Sequence, residues 1–503
     1  MIVITAIALI ISTGKAENTK LIIKPVIAFL IAQYLNTKPI SQGDIQICID
    51  KKTFQRVIIP LKDRFLHTLI LGPTGSGKTS QIILPMLNQD LQNPEAGITV
   101  IEPKSDLAEK VYVMSQIYGR KCLYFNPEYH NCPRFNPLYG DEDTVIENTV
   151  LCFRSILEES PDFFKDTVEI ALRNALKTLK RVIGNKTTLI ILERFLYDTG
   201  GIGQQFISAL ESLSNGTDNK EKQKENEDII HYFRADYFNQ KSDTFKNTSS
   251  LRTQLSRLNN NKYLRKALNP TNGENDINFK EHIEDGGTIA ISTCQGKIGL
   301  TLSRLLGFFI ILNFQSAVFQ RAGNENTRRP HFLYIDEFQE FSNPNFGILL
   351  TQGRSYRISC NLATQNRQLI AGNGSREGQA FLDLVMTNAR NIILFPDLNP
   401  DDCEYFSRAF GEKRTFKKST ARSKNENQFI GYNSFSDSRT EDFERIITTT
   451  DISQRPFGEI TYKIIINNTA QKASHGKISF LPQDFNSKVE NIITQNKINL
   501  IQK

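Results

Sequence analysis

No C-x-x-C pair occurs in the 503 residues, and no Cys/His cluster has the spacing of zinc ligands. That removes the structural zinc modules from consideration. The seven cysteines, at 48, 122, 132, 152, 294, 360 and 403, are odd in number and scattered. They read as buried thiols of a reducing compartment. The N-terminus lacks an apolar run of the ~20 residues that one bilayer-spanning helix needs. Residues 1–12 and 21–35 are apolar, but Lys15, Glu17 and Lys20 separate them, and Lys24 and Pro25 interrupt the second. A basic n-region and a small-residue cleavage site are also missing, which disfavours a signal peptide. Three readings of residues 1–40 stay open: a short or truncated membrane anchor, an interfacial helix pair, and core or partner-binding helices. Charge is not lopsided either. A net charge of +7 and a pI near 8.8 are compatible with nucleic acid or an anionic membrane face without singling out either. The abundance of Asn, Ile and Lys has the look of AT-rich codon usage, which discounts part of that basicity. No nuclease, protease or methyltransferase constellation is visible.

What is present is a globular composition, 39% hydrophobic and 23% charged, in a chain long enough for roughly two to four domains. Within it, Gly72-Pro73-Thr74-Gly75-Ser76-Gly77-Lys78-Thr79 is a complete G-x-x-x-x-G-K-[ST] loop. Glycines let backbone N–H groups turn in around a phosphate, Lys78 reaches the β/γ-phosphates, and the Thr79 hydroxyl ligates Mg²⁺. The apolar run Phe65–Leu71 before it suits a buried strand. A helix from Thr79 through Leu87, with Ser80 in its first turn, points its positive end at the phosphates. The expected ligand is therefore a nucleoside triphosphate with Mg²⁺, held by residues 72–80.

Strand patterns at 41–60, 97–102 and 122–125 alternate with helical stretches, one of them capped near Ser105 or Asp106. This rhythm predicts right-handed crossovers and a parallel sheet, hence an α/β fold. From about 143 to 268 the period becomes helical: Val168, Ala171, Leu172, Ala175, Leu176 and Leu179 recur at spacings of three and four. We read 143–268 as an all-α domain inserted into a nucleotide-binding domain whose parts are 41–142 and 269–503. Further strands are expected at 287–292, 332–335, 359–363, 391–395 and 458–467. The apolar stretch 300–321 resembles a membrane span in length, but Arg304, Asn313 and Gln315 mark it as a buried core helix. The polar, basic segment 411–445 reads as a long mobile loop or a hairpin.

Hydrolysis needs more than a loop that binds. The run Phe332-Leu333-Tyr334-Ile335 ends in Asp336-Glu337. An acidic side chain at the tip of a buried strand holds Mg²⁺, and a second one polarises the attacking water. Asp336 is assigned to the metal and Glu337 to the water. The next strand ends in Ala363-Thr364-Gln365, and Gln365 is expected to sense the γ-phosphate. Arg354 is the candidate for a guanidinium donated to a neighbouring subunit's site, with Arg390 as its rival. Glu193, in an apolar run of the helical region, lacks a second acid and reads as structural.

These stretches resemble the coupling ATPases of type IV secretion and bacterial conjugation, the TraG/TraD-like proteins. The resemblance rests on His67–Thr79 with Leu84-Pro85 following, Ile101–Asp106, Phe135–Leu138, Phe332–Phe338 and Leu362–Gln365, and covers roughly 55–500. Glu102 stands where that family commonly has Asp. The N-terminus lacks the two full-length membrane helices of the family. The resemblance implies a RecA-like P-loop motor domain, ATP as its nucleotide, and a ring, usually hexameric. It also implies an all-α domain facing DNA and relaxase, and an N-terminal inner-membrane anchor. Carried onto matching positions, it gives Lys78 and Thr79 to nucleotide and metal, Asp336 and Glu337 to the acidic pair, Gln365 to the sensor and Arg354 to the trans arginine.

The expected function is an ATP-hydrolysing coupling protein. It would recruit a relaxase–DNA or protein substrate and drive it into a type IV secretion channel, at the cytoplasmic face of a bacterial cell membrane. If the N-terminal segment is no anchor, the expected place is the cytoplasm. Alternatives are an FtsK/HerA-like translocase of double-stranded DNA, or a nucleotide-dependent protein-substrate adaptor that pumps no DNA. The Phe-Asn-Pro-Leu stretch and the helical insertion favour coupling; the adaptor is barely separable from it by sequence.

Overall fold

The computed structural model of the chain describes residues 34–501, apart from 35, 158–160, 272, 373 and 424–433. The apolar run 1–12, and all of the run 21–35 but Tyr34, lie outside the described residues, so of the candidate anchor segment 1–40 only residues 34 and 36–40 are described. Fifteen strands are described: β1 (Ile45–Asp50), β2 (Arg56–Ile59), β3 (Thr68–Leu71), β4 (Gly97–Glu102), β5 (Cys122–Phe125), β6 (Thr288–Ser292), β7 (His331–Ile335), β8 (Ile358–Thr364), β9 (Asn391–Leu394), β10 (Glu412–Ser423), β11 (Ser434–Arg445), β12 (Glu459–Lys463), β13 (Ile465–Ile466), β14 (Thr469–Ala470) and β15 (Ser474–Lys477). Eleven of them form one sheet in the order β2-β1-β15-β12-β9-β3-β8-β7-β4-β6-β5. From β9 to β5 every neighbouring pair is parallel; β12, β15, β1 and β2 extend the sheet antiparallel.

A parallel sheet needs cover on both faces, and the strand sequences supply it. Side chains alternate between faces. Leu69 and Leu71 of β3 enter one apolar core, while Ile70 enters the other. Against the second face pack α1 (Leu84–Leu91), α2 (Asp106–Ile117) and, through Val489 and Ile493, α6 (Gln483–Ile501). Against the first face lie α3 (Glu142–Ile156), α4 (Asp162–Ile183) and α5 (Leu300–Phe319). All described elements between β5 and β6 are helical. Their apolar stripes, such as Val168, Ala171, Leu172, Ala175, Leu176 and Leu179 of α4, are continuous with the core under the sheet.

Several elements differ from the sequence-based expectation. β3 begins only at Thr68, because residues 61–64 form a helical turn and His67 takes a left-handed φ of 56°. The helix after the phosphate loop is wide-turned over Lys78–Ile83 and becomes α-helical only in α1. Pro85 has no N–H to return to the carbonyl of Gln81, and the helix widens ahead of it. α5 stops at Phe319; the Arg321 guanidinium turns back onto the carbonyls of Tyr356 and Arg329. α5 is the one described helix long and apolar enough to cross a membrane, and most of it is buried in the protein. The segment 411–445 is a hairpin, with β10 and β11 paired from Glu412–Arg445 to Ser423–Ser434; its tip lies outside the described residues. The strand expected at 458–467 splits into β12 and β13 around Ile464.

Candidate active site

The loop Gly72–Thr79 leaves the C-terminal end of β3, the central strand of the eleven-stranded sheet. Gly72 N–H still donates to the Thr364 carbonyl (3.2 Å), so the loop is anchored to β8 before it turns. Gly75 (φ 80°) and Gly77 (φ 98°) are left-handed, a conformation that side chains resist. Lys78 folds over the loop, donating to the carbonyls of Gly72 (2.6 Å) and Pro73 (3.1 Å). Burial lowers the pKa of its ammonium, opposed by the charges of Glu337 and Asp336.

β7 delivers the acidic pair. Asp336 N–H donates to the Ile101 carbonyl (3.0 Å), fixing the strand end against β4. The Thr79 hydroxyl donates to Asp336 Oδ2 at 2.7 Å. Burial raises the Asp336 carboxyl, the Thr79 bond pulling the other way. Glu337 is left-handed at φ 49°, ψ 49°. A non-glycine residue there costs about 1–3 kcal/mol, the kind of strain that clusters at functional sites. Glu337 Oε2 accepts hydrogen bonds from Gln339 Nε2 (2.7 Å) and Gln365 Nε2 (3.2 Å), and Oε1 lies 3.4 Å from Lys104 Nζ. Burial would raise its pKa, but the two amides, with Lys78 and Lys104, hold it below the ordinary carboxylate value. One carboxyl is thus pushed toward protonation and its neighbour held ionised.

Thr74, Gly75, Lys78, Thr79, Asp336 and Glu337 line a cavity of about 340 Å³. A triphosphate with Mg²⁺ fits these residues. The buried Ser76 hydroxyl has no hydrogen-bond partner, and a Cβ on Gly72 would come within 2.6 Å of it. Lys78 and the N-terminal end of the Lys78–Ile83 helix suit phosphate oxygens, while Thr79 and Asp336 form a hard-oxygen pair suited to Mg²⁺. Ser80 also lines the cavity, its hydroxyl 3.5 Å from the Gly77 carbonyl.

Arg354 and Arg390 are not brought to this site. Each precedes a strand, β8 and β9, that runs parallel to β3, so both sit at the sheet edge opposite the loop. Arg354 is half exposed and 3.7 Å from Glu325. Glu193 lies in the helix Leu189–Leu196 and accepts hydrogen bonds from Ser256 and Asn259.

The cavity also contains residues that sequence reasoning gave no role there. Glu102, at the end of β4, is fully buried, and burial drives its pKa far up, aided by Asp336. Its Oε1 accepts the Ala108 N–H at 2.5 Å, so it caps α2. A cap from Ser105 or Asp106 was the expectation. Ser105 instead faces Ser292 Oγ (3.1 Å) and makes no cap bond. Lys104 and Lys110 also line the cavity, and Gln339, outside the lining, reaches in through its bond to Glu337. Their only sequence signal was proximity to the two motifs.

A profile of the family described as "Type IV secretory system Conjugative DNA transfer" matches residues 32–469. A search of curated proteins returns no match. Among solved structures, the unbound bacterial conjugative coupling protein TrwBdeltaN70 is similar at a TM-score of 0.58 and 13% identity, over 90% of this chain and 92% of that one. The plasmid coupling protein TrwB in complex with the ATP analogue ADPNP, and with ADP and Mg²⁺, each give a TM-score of 0.57 at 13% identity over the same shares. At this identity the likeness establishes the fold: α/β, RecA-like, with an all-α domain.

Proposed function

Because the chain belongs to the type IV secretory conjugative DNA-transfer family, we propose that it is an ATP-hydrolysing coupling protein. It recruits a relaxase–DNA or protein substrate and drives it into a secretion channel. The observation that carries this reading is the joining of the two motifs by the Thr79–Asp336 hydrogen bond, with Glu337 suspended beside it from Gln365 and Gln339. TrwB has been captured with an ATP analogue and with ADP and Mg²⁺, which supports the same ligands here.

In this reading Lys78 and the loop amides neutralise the β/γ-phosphates, and Thr79 and Asp336 hold Mg²⁺. Bound there, the ion would supply charge neutralisation on the phosphate oxygens. Glu337, kept ionised, accepts a hydrogen bond from the attacking water. Gln365 reaches the same carboxylate and is suited to report whether a γ-phosphate is present. Arg354, facing away from its own loop, acts on the site of a neighbouring subunit in a ring, a homo-hexamer by family resemblance. The helical stretch 143–268 is the domain that faces DNA and relaxase, and residues 1–40 fasten the assembly to the inner membrane.

The test is ATPase activity with and without single- and double-stranded DNA, read alongside oligomer size. DNA-stimulated turnover in a ring-sized species is the expected result. Turnover indifferent to DNA would instead favour the protein-substrate adaptor.

A further inference from the structure

We infer that the C-terminal segment Phe480–Asn486 builds the nucleobase and ribose subsite. This rests on the nucleotide reading above and extends it to a part of the chain outside the family match, which ends at 469. A second cavity, of about 430 Å³, adjoins the phosphate cavity and shares Ser80, Leu84 and Lys110 with it. Its remaining walls are Phe480, Leu481, Gln483 and Asn486. The size falls within the ~300–1,000 Å³ of small-molecule sites.

Along this continuous trough the chemistry changes. The phosphate half is lined by charged groups, among them Lys78, Lys104, Asp336 and Glu337. The second half has Leu84 and Leu481 as an apolar floor, an aromatic ring at Phe480, two neutral amides and only Lys110 as a charge. A molecule polyanionic at one end and flat and apolar with polar edges at the other matches that gradient. A nucleoside triphosphate is such a molecule. Phe480 is 56% exposed and offers a ring face for stacking, and the Gln483 and Asn486 amides supply both donors and acceptors for base edges or ribose.

The wall is held in place from the nucleotide side. Lys110 of α2, which lines both cavities, pairs with Glu490 of α6 at 2.7 Å. Tyr118 stacks on Phe485 with ring centroids 5.7 Å apart. α6 is thereby docked on the helix whose N-terminal end Glu102 caps.

Two full-length variants, Phe480→Ala and Asn486→Trp, separate base from phosphate recognition; neither position is buried, so both should fold. Affinity is measured for ATP and for inorganic tripolyphosphate, which has no base. Phe480→Ala should weaken ATP roughly tenfold, within the range of one lost base–aromatic contact; Asn486→Trp, by filling the cavity, should weaken it as well, and both should leave tripolyphosphate unchanged. Unchanged ATP affinity in both variants overturns the subsite. So does an equal loss for both ligands, which would put the effect on the phosphates. If the unaltered protein binds ATP no better than Lys78→Ala does, the nucleotide reading fails, and the subsite with it.

Discussion

Gln365 Nε2 donates to Glu337 Oε2 at 3.2 Å, tying the residue just after β8 to the second residue after β7. The contact places the side chain proposed to sense phosphate directly on the carboxylate proposed to orient water. Glu337→Gln should therefore lower kcat by at least ~100-fold, the scale of losing a positioned general base. ATP affinity should remain within a few-fold. Steady-state turnover combined with equilibrium nucleotide binding checks both halves; full turnover in the variant would remove Glu337 from the reaction.

Gln365→Ala is expected to leave Gln339 as the one amide on Glu337 Oε2. Turnover should fall less than in Glu337→Gln, while stimulation by DNA falls more. A variant stimulated like the unaltered protein would show that Gln365 transmits nothing.

For Arg354, its position at the far edge of the sheet leads to a subunit-mixing outcome. Arg354→Ala and Lys78→Ala should each be inactive alone, and mixtures should recover part of the activity, since some interfaces then pair an intact loop with an intact arginine. Absence of recovery at every mixing ratio would assign Arg354 to its own subunit's architecture, where Glu325 is its neighbour.

Glu102 gives a pH dependence. Its folded pKa is raised by burial, so the folded state holds a proton that the unfolded state releases above the ordinary carboxylate pKa of about 4.3. The group's contribution is complete below that value and is lost as pH rises toward the folded pKa. Glu102→Gln keeps an oxygen to accept the Ala108 N–H and has no proton to lose. Its stability relative to the unaltered protein should improve steadily from pH 5 to pH 7 in thermal unfolding. Glu102→Ala removes the cap and should cost about 1 kcal/mol. A pH-independent difference between Glu102→Gln and the unaltered protein would contradict the raised pKa.

A stability test lies beneath the sheet. Arg64 and Asp90 form a fully buried two-bonded ion pair (both contacts 2.7 Å), with Tyr334 donating to Asp90 and the guanidinium 3.5 Å from the centre of the Phe332 ring. Asp90→Ala should destabilise by about 3–5 kcal/mol, because it strands a buried cation. The paired change Arg64→Met with Asp90→Leu should recover much of that. Chemical denaturation of the three proteins distinguishes a stranded charge from a simple loss of packing.

Local pattern revealed the parts of the site in which chemistry and secondary structure coincide. The glycine loop after an apolar run and the Asp-Glu pair after another announced themselves, because buried parallel strands are short, apolar and end where ligands bind. The helical stretch from α3 onward was legible from its spacing of three and four. What stayed hidden depends on distant partners. Ile49 pairs with Lys477 across the whole chain, and nothing in either strand's composition names the other. Glu102 looked like a small change of side-chain length; that its carboxyl caps α2 follows only from the crossover after β4. Arg64, Asp90 and Tyr334 are scattered polar residues until three elements converge.

The placement of β12 and β15 has a consequence for synthesis on the ribosome. They lie between β9 and the β1–β2 pair, which is made before any parallel strand. The first strands to emerge therefore have no seat in the sheet until residues 459–477 have followed. Until then β1 presents an open edge, and the parallel core must hold itself together without its antiparallel flank. Completion of this sheet waits on translation of residues 459–477, and the open edge of β1 is exposed to pairing with other chains meanwhile.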